Sequence, residues 1–134
     1  MHGILEATDA AGGAGETILV VEDNPAMRRV VGRQIRDLGY RVLECDRAAA
    51  ALDELQRARV DLLFTDVVMP GGLDGVELAR LARERWPGLK IMLTSGFPEA
   101  RLNADTALQS TLLLLSKPYS KEELAATLRA ALDG

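Results

Sequence analysis

Acidic residues end two short apolar runs of this sequence, and a lysine follows a third. Glu22 and Asp23 come after "TILVV", Asp66 comes after "DLLFT", Lys117 comes after "LLLLS", and Ser95 ends a fourth run, "LKIMLTS". Clustered carboxylates repel one another, and a divalent cation with hard oxygen ligands, typically Mg²⁺, relieves that repulsion. Three carboxylates, a hydroxyl and an ammonium group predict a phosphoryl-transfer site, provided that the fold brings these run ends together.

Each of these residues also has an ordinary structural explanation. Glu22 and Asp23 would suit the N-terminus of a following helix, Asp66 could cap a turn, and Ser95 and Lys117 are common at strand ends and in solvated turns. Their joint occurrence at the ends of four separate runs favours the functional interpretation. Asp66 is the candidate nucleophile, because it stands alone after the central run and could form an acyl phosphate.

Five apolar runs alternate with helix-period stretches from Thr17 onward. This alternation predicts an α/β domain with three layers, in which a doubly wound parallel sheet is covered by helices on both faces. The carboxyl ends of the strands then share one edge, where ligands bind in such folds. The predicted strands are 17–22, 41–45, 60–66, 89–95 and 111–116, and the predicted helices are 25–38, 48–58, 74–86, 96–110 and 120–132.

The first predicted helix has the clearest boundaries. Asn24 is a good N-cap, Pro25 suits the first helical position, and Gly39 ends the helix. The spacing of its apolar residues places six side chains on one face, namely Met27, Val30, Val31, Gln34, Ile35 and Leu38. The stretch 96–110 carries a weaker helical signal.

Length and composition limit the classes of function. The 134 residues make one domain, with residues 1–16 predicted as a flexible lead-in or linker and 17–134 as the folded domain. A net charge of −4 without a basic run gives no electrostatic attraction for nucleic acid, and no segment reaches membrane-spanning length. The single cysteine, Cys45, fits a reducing, cytoplasmic compartment. The only histidine is His2, so no histidine cluster for catalysis or zinc can be built from the body of the chain.

Other phosphate chemistries lack their sequence signatures. No glycine-rich P-loop is present, and the turn after the first predicted strand is "VVEDNP", where dinucleotide- and flavin-binding folds need a turn that accepts phosphate. A phosphatase with an aspartyl nucleophile usually carries a second Asp two residues later, and this position is Val68. A fast, self-contained hydrolase is therefore disfavoured.

The segments "ILVVEDNPAMRRVV", "DLLFTDVVMPGGLDGVEL", "LKIMLTSG" and "LLLLSKPYSKEEL" together resemble the receiver domain of two-component response regulators. The resemblance covers residues 17–132 and implies a five-stranded, flavodoxin-like sheet in the order 2-1-3-4-5. It implies a phosphorelay function, in which a partner's phosphohistidine transfers its phosphoryl group to Asp66. The chain would then be a signalling domain that changes conformation, and not an enzyme.

The resemblance also implies the roles of the other site residues. Asp23, Asp66 and the backbone carbonyl of Val68 would bind Mg²⁺ directly, and Glu22 would act through a metal-bound water. Lys117 would pair with the phosphoryl group, and its bond to the following proline would be cis. At the end of the fourth strand the family register favours Ser95 over Thr94 as the switch hydroxyl, because neighbouring strand residues face opposite ways.

Three features depart from the family pattern. An extra glycine sits between Pro70 and Asp74, and the position usually held by a switch aromatic, three before the lysine, is Leu114. Phe97 could take part of the aromatic's role or simply pack. Val68 and Phe97 stand two residues after the acceptor and the switch hydroxyl, and neither can orient a water, so we expect slow self-dephosphorylation.

The resemblance leaves the setting of the domain open. Its partner would be a histidine kinase or a histidine phosphotransfer protein, either separate or in the same full-length chain, as in a hybrid sensor kinase. The output surface, and a surface for homodimers, would be formed by the fourth predicted helix (96–110), the fifth strand (111–116) and the fifth predicted helix (120–132). Two competing classes are a pseudo-receiver that binds without being phosphorylated and a metal-dependent phosphatase.

Overall fold

The computed structural model describes residues 15–67, 74–95 and 113–134. Within these ranges the predicted βα alternation is confirmed, with boundaries within about two residues of the sequence prediction. The strands are β1 (Thr17–Val21), β2 (Arg41–Cys45), β3 (Leu62–Asp66), β4 (Lys90–Ser95) and β5 (Leu113–Ser116); the helices are α1 (Pro25–Asp37), α2 (Ala48–Arg57), α3 (Gly75–Arg85) and α4 (Lys121–Asp133). Residues 1–14 of the predicted lead-in 1–16, and the predicted helix at 96–110, lie outside the described residues.

The five strands form one parallel sheet in the order β2-β1-β3-β4-β5, as the family resemblance implies. Strands β1 and β3 are the central neighbours at which the order reverses. In such a sheet the crevice at this reversal, beyond the carboxyl ends of the strands, is where ligands bind. The register pairs Val21 of β1 with Thr65 of β3, and Asp66 with Thr94 of β4. The run ends picked out by the sequence therefore lie on one edge.

Two apolar cores cover the two faces of the sheet. Alternate residues of each strand point into opposite cores, as the pleat requires. One core packs α1 and α4 against the sheet, and the other packs α2 and α3. The first contains Ile18, Val20, Val31, Ile35, Leu62, Phe64, Met92, Leu124 and Leu128, and the second contains Leu19, Val21, Ala51, Leu63, Leu78, Ala82, Ile91 and Leu93.

Side-chain caps fix where the helices begin. Asn24 accepts hydrogen bonds from the backbone N–H groups of Ala26 and Met27, as predicted from "NPAM". Asp74 accepts one from the N–H of Glu77 at the start of α3. Ser120 and Glu123 form the reciprocal capping box of α4 that the sequence predicts.

The first helix departs from its predicted face. Val31 and Ile35 are buried, but Met27 and Val30 are 40% and 51% exposed. The helix instead turns Gly32 toward the sheet, where it is buried beside the Glu44 side chain of β2. Since two apolar residues face outward as a result, this surface of α1 differs from an ordinary solvated helix face.

In the described part of the chain, no helix combines the length and the apolar character that crossing a membrane requires.

The packing of α4 gives a direct stability test. Leu124 is completely buried in the core shared with α1, whereas Leu132 is only partly buried at the edge of the same core. We expect Leu124→Ala to lower the free energy of unfolding by about 2–5 kcal/mol, because it removes buried methyl groups and leaves a cavity. Leu132→Ala on the same helix is the matched control, with a clearly smaller loss. Urea denaturation measures both, and equal losses would contradict the assignment of α4 to this core.

Candidate functional site

The site is centred on Asp66, the last residue of β3. Its side chain is 13% exposed, and its Oδ2 accepts a hydrogen bond of 2.8 Å from Nζ of Lys117, which follows β5. The same Nζ lies 3.8 Å from Oε1 of Glu22, which follows β1. The fold thus brings together Glu22, Asp66 and Lys117, which lie at the ends of three different strands, at the carboxyl edge of the sheet. Asp66 and Lys117 are 51 positions apart in the sequence.

The backbone around Asp66 is closely packed. The N–H of Val67 donates to the carbonyl of Thr94 at 2.8 Å, and the N–H of Gly75 donates to the carbonyl of Val67 at 2.9 Å. A Cβ at Gly75 would overlap the backbone carbonyl of Asp66, so only glycine lets α3 begin this close to the acceptor strand. The start of α3 and the end of β4 thus hold the acid from both sides.

Glu22 is buried, with 7% of its surface exposed, and it is held at each of its polar groups. Its backbone N–H donates to the carbonyl of Cys45 at 3.1 Å, and its carbonyl accepts from Nη1 of Arg28 at 2.9 Å. Its Oε2 accepts from the N–H of Asn24 at 3.1 Å, and its Oε1 faces Lys117. Glu22 and Asp23 form an acid pair, and the turn that carries them, the acid turn, is therefore fixed by both backbone and side-chain contacts.

Burial raises the pKa of the Glu22 carboxyl above its ordinary value, and the nearby carboxyls of Asp66 and Asp23 raise it further. The Asn24 N–H and the Lys117 ammonium oppose this shift. Burial also raises the pKa of the neighbouring Tyr119 to about 12, with added effects from Glu22 and Asp66. Burial is thus the main cause of the raised pKa of Glu22, and the attraction of Lys117 outweighs the repulsion from Asp66. A bound cation would further favour the charged carboxyl.

The donor set suits Mg²⁺ better than a transition metal. Among the residues that the structure describes, no three His, Cys, Asp or Glu side chains form a ready metal cage. Mg²⁺ needs no such cage, because it keeps several waters and is held by only one or two carboxylates. Asp23 is exposed beside buried Glu22, and Asp66 ends the adjacent strand. The carboxylates present fit a partly hydrated Mg²⁺, and Val68, the predicted carbonyl ligand, lies outside the described residues.

The remaining predicted residues are placed less completely. Ser95 ends β4, but its side chain lies outside the described part of the chain. Thr94, the less favoured hydroxyl, is 2% exposed and buried in the sheet. Leu114 lies on β5 with an undescribed side chain, and Phe97 lies outside the described residues. The bond between Lys117 and the following proline is cis, as the resemblance implies.

Sequence reasoning missed two features beside the site. One is the hydrogen bond from Arg28 to the carbonyl of Glu22, which has no sequence signal beyond an arginine in the first turns of α1. The other is an apolar groove of about 400 Å³ next to Lys117. Its lining residues are Met27, Val30, Val31, Gln34, Lys117, Pro118 and Tyr119. The exposed apolar residues of α1 form one wall of this groove.

Comparison with known proteins agrees with this geometry. The family model described as "Response regulator receiver domain" matches residues 18–129. This chain belongs to the receiver domain family. Its curated relatives are regulators and sensor kinases of bacterial two-component systems, so the predicted phosphorelay signalling function is confirmed at this level.

The receiver domain is similar to both free-standing and kinase-attached relatives. It is 42% identical over 107 residues to the response regulator receiver protein CpdR of Brucella abortus, with 80% of this chain and 88% of that protein covered. It is 34% identical over 132 residues to the sensor kinase CckA of the same organism, with 97% of this chain but only 14% of the kinase covered.

Solved structures support the same fold. The response regulator TrrA of Thermotoga maritima, solved in complex with Mg²⁺ and BeF, is 25% identical and superposes with a TM-score of 0.78, with 87% of this chain and 99% of that one covered. The chemotaxis protein CheY4 of Vibrio cholerae is 28% identical, also with a TM-score of 0.78, and covers 89% of this chain. The flavodoxin-like receiver fold predicted from the sequence is thus confirmed.

Proposed function

We propose that Asp66 is the phosphoacceptor of this receiver domain and that its donor is a phosphohistidine of a partner protein. The observation that supports this most directly is the contact of 2.8 Å between Asp66 and Lys117 at the carboxyl edge of the sheet. A carboxylate that is 13% exposed is still reached from solvent, while the ammonium beside it neutralises incoming charge. This combination suits a nucleophile for a phosphoryl group.

The proposed step balances without a further reagent. An Oδ atom of Asp66 attacks phosphorus, the new O–P bond forms, and the N–P bond to the donor histidine breaks. The histidine leaves as neutral imidazole when its other ring nitrogen carries a proton. Lys117 stays within reach of a phosphoryl oxygen on Asp66, and it stabilises the charge that spreads over the equatorial oxygens.

We propose Mg²⁺ as the cofactor, bound by Asp23, Asp66 and the Val68 carbonyl directly and by Glu22 through water. The bound ion would neutralise charge on the phosphoryl oxygens. The donor chemistry of the acid pair supports this set, as does the relative TrrA, which was solved with Mg²⁺ and BeF. In the chain itself, Glu22 orients the acid turn through its contacts with Asn24 and Lys117.

We also propose how phosphorylation would switch the domain and where the domain begins. Ser95 and Lys117 would be drawn to the new phosphoryl group and would shift the loops after β4 and β5, which biases an equilibrium between two conformations. The output and homodimer surface would be the segment 96–110 with β5 and α4. We keep residue 17 as the domain start, although Glu16 already contacts it through an ion pair of 2.9 Å with Arg129.

Cys45 and the similarity to known proteins indicate where the domain is located in the cell and whether it is attached to a kinase. A cytoplasmic location is supported by Cys45, a free and buried cysteine, since a reducing compartment keeps thiols unpaired. Similarity to CpdR supports a free-standing regulator, and similarity to CckA supports a receiver attached to a kinase. In either setting the partner is a histidine kinase or a histidine phosphotransfer protein.

Phosphoryl uptake tests the central proposal. With Mg²⁺ and acetyl phosphate, we expect the intact protein to gain the mass of one phosphoryl group, and Asp66→Asn to gain none. Asp53→Asn, at an exposed acid of α2, is the control and should be labelled like the wild type. No labelling would indicate a pseudo-receiver, and rapid donor turnover without an adduct would indicate a phosphatase.

The lifetime of the adduct is a second prediction. Neither Val68 nor Phe97 can hold a water in line with the acyl phosphate, so we expect decay over minutes to hours. Replacing Val68 with Asn should shorten the lifetime by roughly tenfold or more if it positions a water. Phosphate release after removal of the donor measures the decay. A wild-type lifetime of a few seconds would overturn this prediction.

The groove beside Lys117 is our candidate for the donor's docking surface. A donor histidine must approach Asp66 across this edge, so the donor must cover the surface next to Lys117. Met27 and Val30 are the large apolar side chains exposed there, and covering them with a partner removes apolar surface from water. The apolar groove thus offers binding energy beside the acceptor.

Phosphotransfer from kinases separates docking from chemistry. Autophosphorylated histidine kinases from the source organism would first be screened for transfer to the wild type. We expect Val30→Asp to slow this transfer at least tenfold but to leave labelling by acetyl phosphate unchanged. Gln56→Asp, an exposed position on α2 in the opposite layer, should affect neither. Equal transfer to the Val30 variant and the wild type would exclude this groove.

A further inference from the structure

The acid turn depends on a cation outside the carboxylate cluster. Arg28, in the second turn of α1, donates from Nη1 to the backbone carbonyl of Glu22 at 2.9 Å. Its side chain is only 22% exposed, so this long guanidinium group is packed against the turn. Fixing that carbonyl fixes the orientation of the peptide that joins Glu22 to Asp23. The direction in which Asp23 projects thus depends on Arg28.

Arg28 is in turn oriented by a carboxylate from β2. Its Nε lies 3.9 Å from Oε1 of Glu44, and the other oxygen of Glu44 lies 3.0 Å from Nη1 of Arg36. Arg28, Gly32 and Arg36 are four residues apart and share one face of α1. The Glu44 carboxylate lies over Gly32 between the two arginines, and a Cβ at Gly32 would come within 2.5 Å of its Oε2. The absent side chain of Gly32 provides the space for this arrangement.

We propose that Arg28 is a positioning residue for the metal site, held in place by Glu44 over Gly32. The inference rests on the proposed function, because Asp23, the residue it positions, is there a ligand of the proposed metal together with Asp66. Arg28 touches neither the metal nor the phosphoryl group in this scheme. It presents the acid pair in a fixed geometry, and outer contacts of this kind commonly set metal affinity.

Charge and position have opposite effects at this residue, which makes the proposal testable. If Arg28 acted only through its positive charge, its removal would strengthen the binding of a cation nearby. If it acts by orienting the acid turn, its removal weakens binding. The direction of the change in affinity therefore distinguishes the two roles.

The first experiment uses Mn²⁺ as the probe with the full chain, with free Mn²⁺ measured by electron paramagnetic resonance and Mg²⁺ as competitor. We expect Arg28→Ala to weaken binding of both ions by roughly tenfold. Arg29→Ala removes an equal charge from an exposed position on the same helix and should leave the affinity near the wild-type value. Arg28→Lys keeps the charge and should restore part of the affinity.

Gly32→Ala is an independent variant that changes no charge and does not touch the acid turn. Alanine favours a helix over glycine, so the variant should fold at least as well as the wild type. Its methyl group displaces the Glu44 carboxylate, a flexible group that can move, and releases Arg28. We expect weaker Mn²⁺ binding without a loss of stability in urea, a combination that general destabilisation does not produce.

The outcomes separate the inference from the function beneath it. Weaker binding in both variants, with stability of the metal-free protein unchanged in Gly32→Ala, supports the proposal. Wild-type or tighter affinity in Arg28→Ala overturns the positioning role and leaves the proposed function intact. Wild-type protein that binds no Mn²⁺ and takes no phosphoryl group from acetyl phosphate overturns the proposed function, and the inference falls with it.

Discussion

The contact between Asp66 and Lys117 is the interaction on which the site depends. The lysine reaches across from the end of β5 past β4 to the central strand, so the pair forms only if the parallel sheet is complete. Removing one partner of a fully buried ion pair costs roughly 3–5 kcal/mol, and the exposure of 13% and 28% lowers that cost here. The same partial exposure keeps the acid reachable. The same pair of side chains therefore contributes to stability and keeps the carboxylate accessible. An apolar replacement would contribute to stability alone.

Glu22 shows that the fold tolerates an electrostatic conflict at this edge. Burial and two neighbouring carboxyls disfavour its charged form, while Lys117 and the Asn24 N–H favour it. A fold selected for stability alone would place an apolar side chain there. Under the proposed function the conflict becomes useful, since a dication held by Asp23 and Asp66 would stabilise the charged forms of these carboxyls. Holding them by backbone contacts in advance reduces the reorganisation that binding requires.

The sequence predicted the sheet well because its signal is local. Strand length, the 3.6-residue period and the caps at Asn24 and Ser120 each depend on a few neighbouring residues, and the edge site follows because parallel strands end together. The contacts of Arg28 could not be predicted in this way. They depend on how α1 rotates against β2, a rotation that places Gly32 under the Glu44 side chain. The same rotation leaves Met27 and Val30 exposed. The spacing of apolar residues places both on the predicted buried face and does not show which members of that face are exposed. Ser95, Val68 and Phe97 keep roles inferred from the resemblance, since their side chains are not described.

The absence of a histidine in the body of the chain links the site to its surface. Under the proposed function the donor nitrogen belongs to another protein or domain, because the only histidine of this chain is His2. The side chain of Asp66 is 13% exposed, so little of the partner can contact it directly. The contacts that hold the partner would then lie beside the acid, where the exposed apolar residues of α1 lie next to Lys117. In this proposed arrangement the binding energy for the partner would come from the apolar wall of the groove, while Lys117 would stabilise the phosphoryl group.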